Sequence, residues 1–253
     1  MSKKIWFTSQ DNKTIYEDIN FAIKNWFNAY SLNLSYKSNL SYFNTKDLNS
    51  LKLFSEKWWT FIIHMPYYLP INTCIKEVFE WVIKYFENII KIFSKYWLQI
   101  ITLHGWYIES KNNNKISLKK NLNKLLEISK KYNIELSIEN DDLWVDYPIC
   151  TKDDIKEVMD WINEIKFCYD IWHYNTVEPK WISKIFQIYK NRINILHIHN
   201  NFWKDTHNSL NNWNIDIKNF LKLLKKEKYN NIIIFELKGY TKIIEAKKFY
   251  TKD

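Results

Sequence analysis

Eight short apolar runs alternate with amphipathic helical stretches along the 253 residues, and this pattern predicts a (β/α)8 barrel, one domain over residues 1–253. The runs are apolar throughout rather than alternating, as strands covered on both faces must be. No Gly-rich phosphate turn follows the first run, although a doubly wound open sheet, the runner-up fold, would carry one there.

The first run, Lys4–Thr8 (KIWFT), leads into a helix over about Thr14–Asn25 with Ile15, Ile19, Ala22 and Ile23 on one face. Tyr30–Leu34 (YSLNL) is the second strand, followed by a weaker helical pattern around Thr45–Glu56. Phe61–His64 (FIIH) is the third, with a long helix between about Thr73 and Tyr96. Gln99–His104 (QIITLH) precedes a helix over Ser117–Tyr132. Glu135–Glu139 (ELSIE) is the fifth strand, and its helix opens at Thr151, where Asp154 three residues on makes a start like a capping box. Lys166–Asp170 (KFCYD) is followed by a helix from about Pro179 to Lys190. Asn194–His199 leads to a helix over Asp216–Glu227, and Asn231–Glu236 (NIIIFE) to a last helix over Thr241–Tyr250.

Composition narrows the setting. The formal charge of +9 rests on lysines spread over helix faces such as Ser117–Lys131 and Asn219–Lys228, with Arg192 the only arginine. They read as solvated faces rather than a nucleic-acid patch. Cys74, Cys150 and Cys168 are odd in number and form no CxxC pair, which argues for a reducing compartment and against a disulfide framework or a thiolate zinc site. Without a signal-like start or a window of about 18 apolar residues, the chain reads as soluble and cytoplasmic, with no membrane partner.

In a (β/α)8 barrel chemistry gathers at the C-terminal ends of the strands. Here the third strand ends in His64, the fourth in His104 and the fifth in Glu139. The sixth ends in Asp170, with His173 three further, and the eighth in Glu236. The seventh carries His197 and His199, with Asp205 and His207 in the loop beyond. All six histidines lie in these places and none in a helix, so a convergent metal site is expected in preference to histidines scattered for packing.

In this order and spacing, FIIHMPYY, ITLHGWY, LSIEN, CYDIWH, LHIHNN, DTH and IIIFEL resemble the strand-end motifs of the xylose isomerase-like TIM-barrel superfamily, from Ile5 to Phe249. That group includes sugar and sugar-phosphate isomerases and epimerases and the apurinic-site endonucleases of the endonuclease IV type. The resemblance implies a central metal held by Glu139, Asp170, His197 and Glu236. Positions matching further ligands of the endonuclease members are also present: His64 and His104 sharing Glu139, and His173, Asp205 and His207. One to three divalent ions are therefore implied; mixed imidazole and carboxylate ligation suits Zn or Mn first, with Fe, Co or Mg also accommodated. His199, on the same strand face as His197, can stand in for it as ligand; His197 matches the motif.

Two functions stay open at this point. In an isomerase or epimerase acting on a sugar or sugar phosphate, Glu139 and Glu236 would pass a proton through an enediolate while His173 orients a hydroxyl. In an apurinic-site nuclease acting on DNA, the metals would activate water, and Tyr67 and Tyr68 can wedge into a duplex. Against the nuclease stand the segment DDLWVDYPIC after Asn140, which lacks a Gly-rich continuation, the short loop from His197 to Asp205, and the near absence of Arg. Lys238, just past the eighth strand, reads as a solvated lysine rather than a phosphate contact. A scaffold without activity would have no need of both glutamates.

Glycine is the compositional anomaly: the chain has 2 Gly and 13 Trp, where ordinary chains carry about 7% Gly. Members of the resembled family have glycine where Trp172, Asn211, Trp213 and Trp6 stand, and Trp26, Trp97, Trp106 and Trp203 fall where a turn or a close backbone approach favours it. The counts fit a gene whose UGA codons mean glycine in its own lineage and are written here as tryptophan.

Overall fold

The computed structural model describes residues 5–35, 43–57, 59–105, 111–143, 148–201, 204–210 and 214–251, with the backbone alone for 5 and 111–114. Asn211 and Trp58, Trp106, Trp144, Trp203 and Trp213 lie outside them. The described elements run β1 (Ile5–Thr8), α1 (Ile15–Lys24), β2 (Ala29–Asn33), α2 (Thr45–Glu56), β3 (Thr60–His64), α3 (Lys76–Phe93), β4 (Leu98–His104), α4 (Lys111–Lys131) and β5 (Glu135–Glu139). They continue through α5 (Lys152–Trp161), β6 (Lys166–Asp170), α6 (Ile171–Val177), α7 (Ile182–Tyr189), β7 (Ile193–Ile198), α8 (Ile217–Lys226), β8 (Ile232–Phe235) and α9 (Tyr240–Thr251). The eight strands are parallel and in sequence order, and β8 closes on β1 through Ile5↔Ile233 and Phe7↔Phe235, so the predicted barrel forms.

Two apolar cores follow from the strand period of two. One set of side chains meets the helices; the other fills the barrel with Trp6, Ala29, Ile62, Ile100, Cys168, Ile195, Ile232 and Ile234. Two residues beyond those interior positions, on the same face, stand His64 after Ile62, Asp170 after Cys168, His197 after Ile195 and Glu236 after Ile234. The register then sets neighbours side by side, with His104 opposite Glu139 and Asp170 opposite His197. An apolar plug below and a polar layer above are thus one periodicity read twice.

The helices are locally specified. Thr14, Asn44 and Thr151 each cap a helix through a reciprocal box with Glu17, Asp47 and Asp154. Several helices depart from the sequence reading, α7 among them, which begins at Ile182 rather than near Pro179. Helix α3 begins at Lys76 rather than near Thr73, and α4 begins at Lys111, six residues before Ser117, through an Asn-rich stretch of poor helix formers. Helix α6 has no counterpart in the sequence reading, and it places His173 in a helix, against the expectation that no histidine lies in one: Asp170 caps it by accepting from the backbone N–H groups of Trp172 and His173, so the strand's last residue is also the helix's first cap. Among the described residues no helix is long and apolar enough to cross a membrane.

Helix α1 ends in a Schellman turn, with the Phe27 N–H on the Ala22 carbonyl at 3.0 Å and the Trp26 N–H on that of Ile23 at 3.3 Å. Its left-handed residue is Trp26, at φ 57° and 81% exposed. Trp97, just before β4, takes φ 65°. Of the two glycines, Gly239 has φ +95°, and a Cβ on Gly105 would stand 2.4 Å from Pro148 Cγ, so both occupy places that require glycine.

Candidate active site

Glu139, at the end of β5, is the hub of the layer above the plug. It is buried, and its two oxygens serve two groups. Oε2 lies 2.9 Å from His64 Nε2 and 3.3 Å from His104 Nε2. Oε1 lies 2.8 Å from His197 Nδ1, which is also 3.4 Å from Glu236 Oε2 and 3.8 Å from Asp170 Oδ2. Further out, Asp205 lies 3.1 Å from His207 Nε2 and 3.7 Å from His173 Nε2. All nine residues singled out in the sequence are therefore brought to one place. Glu139, Asp170, His197 and Glu236 offer ligand atoms within 4.8 Å of one another, as do His64, Glu139 and His197.

The donor set fits a divalent cation, and the two imidazoles beside Glu139 show why. His64 Nδ1 lies 3.0 Å from the Met65 carbonyl, and His104 Nδ1 lies 2.7 Å from Asp141 Oδ1. Each ring spends its Nδ1–H on that acceptor, which leaves a lone pair on Nε2. Those two nitrogens face each other at 3.2 Å, with a carboxylate oxygen beside both. Three lone pairs converging this closely need a proton or a cation between them. His173 is built alike: Nδ1 donates to the Asn140 carbonyl at 2.9 Å and Nε2 looks toward Asp205. Such outer partners fix a ligand ring's tautomer and aim. His207 sits at φ 51°, a strained conformation for a β-carbon residue, in the loop that closes this side.

Charge and burial oppose each other throughout. Burial raises the Glu139 carboxyl, but the neighbouring His197 and His104 outweigh it and hold it well below the usual carboxylate range. Burial lowers His197, but Glu139 and Glu236 outweigh it and lift the ring from 6.5 to about 9. Burial dominates at Asp141, raised to about 6, and Asp141 Oδ2 is buried without a hydrogen-bond partner among the described residues. Because the folded value of His197 exceeds its ordinary one, proton binding there stabilises the metal-free protein fully below 6.5, and this is lost as pH rises through about 9. A metal held by His197 would compete with the proton for Nδ1, so its apparent affinity is expected to climb with pH up to about 9 and then level. Titration with zinc against a competing chelator at several pH values checks the slope; affinity independent of pH would show that His197 is no ligand. Metal removal is expected to lower Tm, since ion held at 100-fold its Kd contributes about 2.7 kcal/mol and each kcal/mol shifts Tm by about 2–4 °C for a chain of this size.

The site opens into a cavity of about 200 Å³ lined by His64, His104, Glu139, His173, Asp205, His207 and Glu236 together with Asn33, Ser35, Tyr67, Asp141 and Asp142, while Asp170 and His197 lie buried behind its wall. No lysine or arginine lines it among the described residues. Lys238 is half exposed, 3.6 Å from Asp11, as a solvated lysine would be. Tyr67 lines the mouth and Tyr68 is partly exposed beside it. Sequence reasoning missed Asp141 behind His104 and Asn140, which accepts the Asp170 N–H at 2.9 Å and donates to its carbonyl at 3.0 Å. It also makes His199 a stand-in for His197, whereas both rings are buried in the site: His197 toward Glu139 and His199 toward Asp170, at 2.9 Å.

The same barrel recurs in solved structures. A D-tagatose 3-epimerase-like protein superposes with a TM-score of 0.85 at 19% identity, over 98% of this chain and 96% of that one. The D-psicose 3-epimerase of Clostridium cellulolyticum gives 0.78 at 13%, over 93% and 85%. Endonuclease IV from Thermus thermophilus gives 0.76 at 11%, over 98% of both chains. No curated protein sequence matches the chain. At such identities these structures are evidence of the fold. The sequence match is to the model for a xylose isomerase-like TIM barrel and spans residues 45–252, most of the chain, and by that match the protein belongs to the xylose isomerase-like TIM-barrel family.

Proposed function

We propose that the protein is a divalent-metal-dependent sugar isomerase or epimerase. The observation that carries this reading is the placement of two buried glutamates, Glu139 and Glu236, 2.8 and 3.4 Å from the shared His197 Nδ1, both lining a cavity of about 200 Å³. A carboxylate on each side of a bound carbon is what removal of a proton and its return to the other face require. The metal, held by Glu139, Asp170, His197 and Glu236, would supply Lewis-acid polarisation of a carbonyl and its neighbouring hydroxyl. Glu236 and Glu139 then take and return the proton beside that carbonyl. His173, whose Nδ1–H is held by the Asn140 carbonyl, presents Nε2 to orient a hydroxyl, and Asn33 and Ser35 at the cavity wall offer further hydrogen bonds. A cavity of this size suits a monosaccharide better than a duplex, and with no lysine or arginine among its described lining residues any phosphate would be held by metal alone.

A second reading has its own support: the His64–His104–Glu139 and His173–Asp205–His207 groups exceed what one ion needs, as expected of a multi-metal phosphodiesterase. One pair of assays separates them. Protein loaded with manganese or zinc is incubated with a panel of ketoses and their phosphates in deuterium oxide, and in parallel with a duplex carrying one abasic site. Deuterium appearing beside the carbonyl, with a new epimer or aldose, is the expected result. Metal-dependent strand incision with no exchange in any sugar would overturn the first reading in favour of the second.

A further inference from the structure

The loop after β7 holds a buried amide that the proton-transfer scheme leaves unused. Asn201 is fully buried. Its side-chain oxygen accepts from the backbone N–H of Thr206 at 3.0 Å, that of Asn208 at 3.2 Å, and the Thr206 hydroxyl at 2.9 Å. A backbone N–H can only donate, so the oxygen of this amide is fixed on that side without ambiguity. Its NH2 therefore faces the other way, donating to His199 Nδ1 at 2.8 Å and to Asp205 Oδ1 at 3.3 Å. A ring nitrogen that accepts carries no hydrogen. The ring proton of His199 is thus on Nε2, which donates to Asp170 Oδ2 at 2.9 Å.

Asp170 Oδ1 already accepts from the backbone N–H groups of Trp172 and His173, both at 2.8 Å. Three donors on two oxygens stop the carboxylate from turning. The lone pair left on Oδ2 faces His197 Nδ1, 3.8 Å away, and the Glu139–Glu236 pair beyond it. We infer that Asn201 and His199 form a positioning relay, in which the amide selects the imidazole tautomer and the imidazole aims Asp170 into the metal group, so that His199 orients a ligand rather than serving as one. The inference rests on the metal-site reading above.

The test uses the whole chain labelled with 15N in its histidine rings. Long-range proton–nitrogen NMR is recorded on metal-free and zinc-loaded protein, with the His199 signals assigned by their loss in His199→Gln. The expected spectrum shows His199 with a bare Nδ1 and a protonated Nε2 in both states. A proton on Nδ1, or loss of the Nε2 proton on zinc loading, would overturn the relay, the second by making His199 a ligand. Zinc affinity gives an independent readout. Asn201→Asp keeps the shape and the oxygen acceptor but calls for a proton on Nδ1, and it is expected to weaken zinc about tenfold to a hundredfold, the usual cost of a lost outer partner. His199→Gln, whose amide can replace the Nε2–H, is expected to stay close to wild type. Equal weakening in both variants, or unchanged binding in Asn201→Asp, counts against the relay. Wild-type protein that binds no zinc would sink the metal-site reading itself, while the ring-proton pattern of the metal-free protein still decides the tautomer.

Discussion

Glu139→Gln is expected to lose turnover by about 10³-fold or more, the size of effect that removal of a general base or a key electrostatic partner produces. The amide keeps the shape of the carboxylate, so the barrel should fold, but it removes the one negative charge that both imidazole groups share. Oε2 faces His64 and His104 while Oε1 faces His197, so the substitution reaches both halves of the site at once. Bound metal, measured by elemental analysis after dialysis, should fall together with turnover. Glu236→Gln is the control: Glu236 approaches the site through His197, at 3.4 Å, whereas the His64–His104 pair is served by Glu139, so it should cost turnover while that pair still takes up metal. Deuterium exchange in Glu139→Gln within tenfold of wild type would remove Glu139 from the proton-transfer role.

Much of this site is readable in the residues because a strand period of two carries an apolar interior position and a polar strand-end position on the same face. Ile195 and His197, or Ile234 and Glu236, announce each other once the fold class is in hand. What cannot be read is what depends on neighbours far along the chain. Asp141 is one of two adjacent aspartates in a loop, and only the barrel brings it to His104, 37 residues away. Asn201 looks like any loop asparagine until Thr206 and Asn208 fold back onto its oxygen. Helix α6 escapes because Asp170 reads first as a strand-end ligand; the signal is present, since an aspartate followed by eight residues free of Gly and Pro is also an N-cap. His197 and His199 share a strand face, and their division of labour is set by Glu139 on β5 and Asp170 on β6, which sequence spacing alone does not order.

The protein made by its native host is expected to be lighter than a chain with thirteen tryptophans, by the exchange of an indolylmethyl group for hydrogen at each of 13 positions. The geometry at two of them is the reason. Trp26 fills the left-handed slot of a Schellman turn and Trp97 takes φ 65°, a region that costs a residue with a β-carbon about 1–2 kcal/mol and glycine nothing. The two residues are 81% and 45% exposed, so burial of the indoles offsets little of that cost. Trp6 presents the inverse problem, a fully buried ring whose Nε1–H finds no acceptor among the described residues. Positive φ alone does not decide the matter, because Asn133 and Lys228 fill the same slot after α4 and α8. Two measurements together do. Trp26→Gly with Trp97→Gly should raise the unfolding free energy by about 2 kcal/mol and Tm by about 2–4 °C per kcal/mol, where exchange of a stabilising tryptophan would lower both. Intact mass of the native protein then separates a chain that tolerates tryptophan in glycine's place from one that never contained it: a mass fitting thirteen tryptophans ends the idea, and a mass fitting glycine at those positions means that the turn after α1 and the floor of the barrel are built as the rest of the chain is, with each residue in a conformation it can hold without strain.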